Sequence, residues 1–220
     1  MRIDILTLFP DMFNSLNESI IKRALNNDLV EINVIDFRKY SKEINNKVDD
    51  TPYGGGNGMV LMCQPIFDAV DDIKTKDSKV IMLTPDGVTY KQSIAYDLSN
   101  EKHLIILCGH YEGFDERIRS IVNLEISIGD FILTGGEYAA MCLVDSIVRL
   151  IPGVIKEDSH LNESFNDNLL DYETYTKPAD FRGMKVPDVL LSGNHKKIDE
   201  FRKNSRYNRT KERRPDLLSK

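Results

Sequence analysis

Apolar residues occur along this chain in short continuous runs, separated by segments where they recur every three or four positions. The runs at 2–9 (RIDILTLF), 30–37 (VEINVIDF), 79–87 (KVIMLTPDG) and 103–107 (HLIIL) predict strands. Those near-continuous in Ile, Leu and Val carry the pattern of strands buried on both faces. Phe13, Leu16, Ile20, Ala24 and Leu25 fall at helical spacing after the first run, and residues 91–99 read as a second, shorter helix. Ala139, Leu143, Ile147 and Leu150 mark a third, amphipathic one. Strand, helix and strand in succession imply parallel crossovers, and so an α/β layer.

The chain is organised around residues 103–150. Its apolar segments break at Gly109, Gly129 and Gly135-Gly136, which brings backbone amides and carbonyls around one small volume suited to a flat, polar small molecule. Leu83-Thr84-Pro85 and Cys108-Gly109-His110 are expected as strand ends leading into turns, where parallel sheets bind ligands. Residues 38–58 are polar and glycine-rich, and a loop of this length is commonly functional. Its Gly54-Gly55-Gly56-Asn57-Gly58 lacks GxGxxG spacing and a preceding buried strand, so a nicotinamide-dependent oxidoreductase is a poor fit and a substrate-covering loop the better one. After Pro152-Gly153 the periodicity is lost. The expected domains are 1–155, a ligand-binding α/β domain; 156–180, a polar linker; and 181–220, a small helical domain.

Composition narrows the class. No apolar run approaches the roughly 20 residues that cross a bilayer, and the N-terminus lacks a signal-peptide pattern. Cys63, Cys108 and Cys142 form no CxxC pair, which fits reduced thiols in a cytoplasmic protein, and the four histidines show no metal-ligand spacing. The net charge of −6 hides an asymmetry. Residues 196–220 hold ten Lys/Arg against four Asp/Glu, a net of +6, so the remainder carries −12. An acidic body with a basic tail suits a protein that meets nucleic acid through one region.

Several segments together resemble one family. They are Leu8-Phe9-Pro10-Asp11-Met12-Phe13, Asp49-Asp50-Thr51-Pro52-Tyr53-Gly54-Gly55-Gly56, Cys108-Gly109-His110-Tyr111-Glu112-Gly113 and Ser127-Ile128-Gly129-Asp130. They continue as Leu133-Thr134-Gly135-Gly136-Glu137, Arg149-Leu150-Ile151-Pro152-Gly153-Val154, Val189-Leu190-Leu191-Ser192-Gly193-Asn194-His195 and Arg213-Arg214-Pro215. In this order, over nearly the whole chain, they are similar to bacterial tRNA (guanine-N1)-methyltransferases of the knotted SPOUT class. The patterns alone would give an open doubly wound sheet. The resemblance implies instead an α/β fold with a trefoil knot and a mostly parallel sheet flanked by helices, plus a small C-terminal helical domain. It also implies a homodimer with active sites at the subunit interface, S-adenosylmethionine as methyl donor, and the tRNA guanosine just 3′ of the anticodon as acceptor.

The residues so implied for the donor pocket are Leu83, Thr84, Pro85, Gly109, Tyr111, Glu112 and Gly113, then Ile128, Gly129, Asp130, Phe131, Ile132, Leu133, Gly135 and Gly136. A sulfonium donor is already activated; the demand falls on guanine N1, which must lose a proton to a base while charge develops on O6. The resemblance assigns Arg149 to O6. It assigns the base to an aspartate in a motif that reads Asn162-Glu163-Ser164-Phe165 here, so Glu163 takes that place, its carboxylate displaced by roughly 1.5 Å by the extra methylene. Asp158 and Asp167 are nearby alternatives. His110 stands where the family usually has arginine, exchanging a fixed charge for a titratable one. Glu112 is expected at the donor's amino group; the resemblance also implies a carboxylate-bound Mg²⁺ ion, though no ligand cluster in the sequence demands a metal. In the tail, Lys196, Lys197, Arg202, Lys203, Arg206, Arg209, Lys211, Arg213 and Arg214 are expected on tRNA phosphates, with Ser192, Asn194 and His195 hydrogen-bonding nearby. The rival readings are a knotted methyltransferase for another RNA position and a non-catalytic RNA-binding homologue.

Overall fold

The computed structural model describes residues 1–156 and 163–219. Asp158 and Asn162, named above, lie outside the described residues. The chain divides into two compact units, Met1–Ile155 and Lys156–Lys220.

The first unit runs through β1 (Arg2–Thr7), a 3-10 helix (Pro10–Asn17), α1 (Ser19–Asn26), β2 (Glu31–Asp36), β3 (Asp49–Asp50), β4 (Val60–Leu61) and α2 (Cys63–Ile73). It continues with β5 (Ser78–Thr89), α3 (Gln92–Ser99), β6 (His103–Leu107), β7 (Leu124–Ser127) and α4 (Glu137–Val148). Five strands form one parallel sheet in the order β2-β1-β6-β5-β7. The two-residue period of a strand explains the layers. Ile3, Ile5, Ile81, Leu83, Leu104 and Ile106 pack with residues of α1, α3 and α4, whereas Leu6, Val80, Met82, Ile105 and Leu107 pack with α2 and Phe37. Each fully buried aliphatic side chain contributes roughly 1.5–3 kcal/mol, so β1, β6 and the first half of β5 anchor the unit.

A polar cluster ties the strands at their amino ends. Asp4, fully buried, accepts from His103 Nε2 at 2.8 Å and Asn33 Nδ2 at 2.9 Å and pairs with Arg2 at 2.8 Å, while His103 Nδ1 meets Ser78 Oγ at 2.6 Å. A buried carboxylate is tolerable only when paired in this way.

Three local expectations need correction. The single helix expected through Phe13, Leu16, Ile20, Ala24 and Leu25 is a 3-10 segment followed by α1, whose first residue, Ser19, takes a left-handed φ of 53°. Leu83-Thr84-Pro85 do not end a strand: β5 runs on to Thr89, pairing with β7 at Leu83, swinging out, and pairing with it again at Val88. Gly87 lies on that return, where a Cβ would collide with the backbone of Glu125 and Ile126. Residues 63–73, given no element from the sequence, form α2, with Pro65 tolerated in its first turn, where the amide has no intrahelical acceptor.

The second unit holds a hairpin, β8 (Asp180–Phe181) with β9 (Met184–Lys185), then α5 (Asp188–Leu191) and α6 (His195–Arg213). α6 has almost no apolar face; its buried residues are Ser205 and Thr210. It grips an extended segment by polar contacts. Thr210 Oγ1 accepts from Leu170 N at 2.8 Å, Ser205 Oγ from Glu173 N at 3.3 Å, and Arg209 Nε donates to Asp171 O at 3.1 Å. Part of the expected linker is therefore fastened within this unit.

Candidate active site

At the carboxyl end of the sheet three segments converge on a cavity of about 480 Å³: the outswing of β5, the loop 108–114 after β6 and the loop 128–136 after β7. Of the fifteen residues expected to hold the methyl donor, fourteen line it, from Leu83, Thr84 and Pro85 through Gly109 and Tyr111 to Gly135 and Gly136. Asp130, exposed, is the exception. His110, Ser127 and Thr134, within segments expected at the ligand, also line it, as do Met82, Asp86, Phe114, Glu116, Arg119, Ile126 and Ala139, which the sequence did not point to. The cluster Asp115-Glu116-Arg117-Ile118-Arg119 was the available signal, since charges crowded just after a glycine turn face either solvent or a ligand.

Backbone packing fixes the walls. Gly136 N donates to Gly109 O at 2.8 Å, and a Cβ on Gly136 would stand 2.9 Å from Cys108 Cα and from Gly109 N, so only glycine lets α4 start against the end of β6. Glu137, the first residue of α4 and 2% exposed, accepts from Thr7 Oγ1 at 2.8 Å, and Thr7 Oγ1 accepts from Phe9 N at 2.9 Å. That relay joins the turn after β1 to the helix start, where a carboxylate also suits the helix dipole. Cys108 lies beneath; burial, reinforced by the Glu137 charge, pushes its thiol well above the usual range, so it is no nucleophile.

The loop after β6 is strained and braced. Tyr111 holds a left-handed φ of 58°, a strained conformation for a bulky residue. The His110 ring packs beside Phe9 and Tyr111, with centroids 4.9 and 5.1 Å away, and Nδ1 accepts from Tyr111 N at 3.1 Å. In a neutral ring that bond leaves the proton on Nε2. The glycine-rich loop is tied to the same wall: Glu112 N donates to Met59 O at 3.0 Å and Leu61 N to Gly113 O at 2.9 Å, while a Cβ on Gly58 would overlap the Glu112 side chain.

Carboxylates dominate the rim. Arg119 Nη2 bonds Asp86 at 2.5 Å and Nε bonds Glu116 at 3.0 Å, and Nη1 is paired with Glu125. The Glu116 hydrogen bond raises the guanidinium's affinity for its proton. Asp86, Glu112 and Glu116 against one arginine leave the lining net negative, which favours a cationic guest. Just behind, Asp115 caps the 3-10 helix 116–121, accepting from Arg117 N at 2.9 Å, and its bond with the Arg117 guanidinium holds its carboxyl below the usual range. Burial and then Asp115 push the neighbouring Cys63 thiol up to about 11. Among the described residues no three His, Cys, Asp or Glu side chains are grouped to hold a metal ion.

The residues expected beyond the pocket are placed differently. Arg149 caps the far end of α4, and the helix between them, at about 1.5 Å per residue, puts it about 20 Å along the axis from Gly136. It does not line this cavity. Glu163 and Asp167 belong to the second unit, where Asp167 is paired with Arg206 at 2.6 Å. Asn194 caps α6, accepting from Lys197 N at 3.2 Å, Ser192 Oγ bonds Val189 O at 2.7 Å, and His195 opens the helix. Arg209 and Arg214 are likewise engaged within the unit, the latter with Asp216 at 2.7 Å, whereas Lys196, Lys197, Lys203, Lys211 and Arg213 are exposed.

No described helix is long and apolar enough to cross a membrane. The family model described as tRNA (Guanine-1)-methyltransferase TrmD matches residues 1–220. A protein of Malacoplasma penetrans named tRNA (guanine-N(1)-)-methyltransferase is 58% identical, over all of this chain and 98% of its own length. Proteins of the same name from Macrococcus caseolyticus and Staphylococcus carnosus are 58% and 54% identical, covering 99% and 100% of this chain and 92% and 91% of their own. A cavity walled by glycine-limited backbone and a match that runs from the first residue to the last lead to one conclusion: the chain belongs to the tRNA (guanine-1)-methyltransferase family.

Proposed function

We propose that this protein transfers a methyl group from S-adenosylmethionine to N1 of the guanine at position 37 of tRNA, immediately 3′ of the anticodon. The chain-long family match carries this reading, and the cavity supports the donor. Its apolar wall, with Leu83, Ile126, Ile128 and Leu133, suits a purine ring; its net negative rim suits a sulfonium and an ammonium. When bound, the donor supplies an electrophilic methyl group that needs no enzyme nucleophile. The high-pKa Cys108 and Cys63 accord with that.

The protein's work lies on the acceptor. Glu163 takes the N1 proton, and Arg149 stabilises negative charge on O6. The length of α4 supports a homodimer in which Arg149 serves the cavity of a second copy, as do Phe131, Ile132, Leu133 and Tyr138, large apolar or aromatic side chains left exposed on the first unit. The trefoil knot comes with the family, and the close packing of Gly87 on the Glu125–Ile126 backbone agrees with a tightly threaded chain there. The unit of residues 156–220, with its exposed cations, is the tRNA-holding domain, and the compartment is the cytoplasm, where the RNA and reduced thiols reside. Mg²⁺ is assigned no step. Transfer of labelled methyl from the donor to unmodified tRNA transcripts tests the reading. Label should enter transcripts with guanosine at position 37 and fail to enter those with adenosine there; equal labelling of both would overturn it.

A further inference from the structure

Arg119 spends each nitrogen of its guanidinium on a different element. Nη2 meets Asp86 of the β5 outswing at 2.5 Å, Nε meets Glu116 of the 3-10 helix 116–121 at 3.0 Å, and Nη1 is paired with Glu125 of β7. The outswing has little else to hold it. Between Leu83 and Val88 it has no ladder partner in β6 or β7. Among the described residues, no other side-chain hydrogen bond reaches residues 84–87. Yet Thr84, Pro85 and Asp86 line the donor cavity. The side chains of Asp86 and Glu116 are 63% and 83% exposed, and pairs so open to water stabilise a fold little. What a planar fork does better than a single charge is to fix three partners in one geometry.

We propose that Arg119 is a positioning residue for methyl transfer, which through Asp86 holds the β5 outswing in the shape that S-adenosylmethionine requires. The inference rests on the reading that the cavity takes this donor. Two effects of removing the arginine differ in sign. By charge alone, Asp86 and Glu116 would stand unpaired at the rim, and a more negative rim binds a sulfonium more tightly. Their exposure lets water and salt screen that effect. By loss of the clamp, each ligand must order the freed wall anew, and binding weakens. The clamp is also indifferent to the ligand's charge, so S-adenosylhomocysteine, whose sulfur is neutral, loses as much as the donor.

The experiment uses the full-length protein and titrates S-adenosylmethionine and S-adenosylhomocysteine into the wild type, Arg119→Met, Asp86→Ala and the double variant. Thermal melting and steady-state methylation of unmodified tRNA are measured alongside. Arg119→Met should weaken both ligands by the same factor, about five- to thirtyfold, which is the cost of ordering one backbone residue. Asp86→Ala should do likewise, and the double variant should lose no more than Arg119→Met alone, because the two residues act as one unit. The KM for the donor should rise by that factor, while kcat at saturating donor and the KM for tRNA stay within twofold. Tighter binding of the donor by Arg119→Met, with S-adenosylhomocysteine unaffected, would mark a charge effect and overturn the inference. So would a lowered melting temperature with both affinities intact, which marks a structural role only. Should Arg119→Met fail to fold, Asp86→Ala decides alone: equal losses for both ligands uphold the clamp, and unchanged affinities overturn it. A wild-type protein that binds neither ligand would remove the donor reading, and this inference with it.

Discussion

Glutamine in place of Glu163 keeps the side chain's length and polarity and removes only its capacity to accept a proton. With Glu163 as the base, Glu163→Gln should lower the single-turnover methylation rate at least a hundredfold and leave donor affinity within twofold, because the donor cavity is built by other residues. Unchanged single-turnover methylation would remove Glu163 from the mechanism. A different carboxylate governs acid stability. The folded protein holds Asp115 well below its ordinary range, so its contribution is full at neutral pH, starts to decline below about 4 and is lost only as pH falls through the lowered folded-state value. Asp115→Asn should therefore melt about 2–4 °C lower at pH 7, and the difference should be smaller at about pH 3; calorimetry at the two pH values checks this, and a difference that does not narrow would exclude Asp115 as the source. The sequence marked the donor pocket through its glycines, which backbone geometry makes hard to replace. It could not mark Asp86, Glu116 and Arg119, because ionic residues in a polar stretch look alike whether they face water or a cavity.

At the scale of elements, β1 and β6 were legible because burial on both faces leaves an almost unbroken apolar run. β5 was legible only as far as Leu83: Pro85, Asp86 and Gly87 read as a turn, whereas the strand bulges outward there and returns to the same neighbour. That bulge is a wall of the cavity, so the feature that defeated the strand assignment is the one that serves the site. Gly87→Ala tests its importance. A methyl group driven against the Glu125–Ile126 backbone should cost about 1–3 kcal/mol in stability and weaken donor binding, read by denaturation and titration calorimetry. α2 escaped because Met59–Phe67 is apolar without visible helical spacing, and the hairpin of β8 and β9 because two-residue strands carry no periodicity.

For the whole molecule, the acidic body and basic tail were plain from composition, but not the division of labour inside the tail. Arg206, Arg209 and Arg214 hold the second unit together, while Lys203 and Lys211 face solvent. RNA affinity should fall steeply with salt, and Lys203→Ala should make the slope of log affinity against log salt shallower by about one. Arg206→Ala should instead lower the melting temperature. A slope unaffected by removing Lys203 would exclude it from the RNA contact. The rigid span between Gly136 and Arg149 also bears on how sequences of this kind can diverge. Adding or deleting one residue in α4 would turn Arg149 by about 100° and shift it about 1.5 Å relative to the donor cavity. Exposed positions such as Tyr138 and Cys142 can change identity without disturbing that span. Insertions and deletions that natural selection tolerates should therefore collect in residues 38–58 or beyond Ile155, while this helix keeps its count.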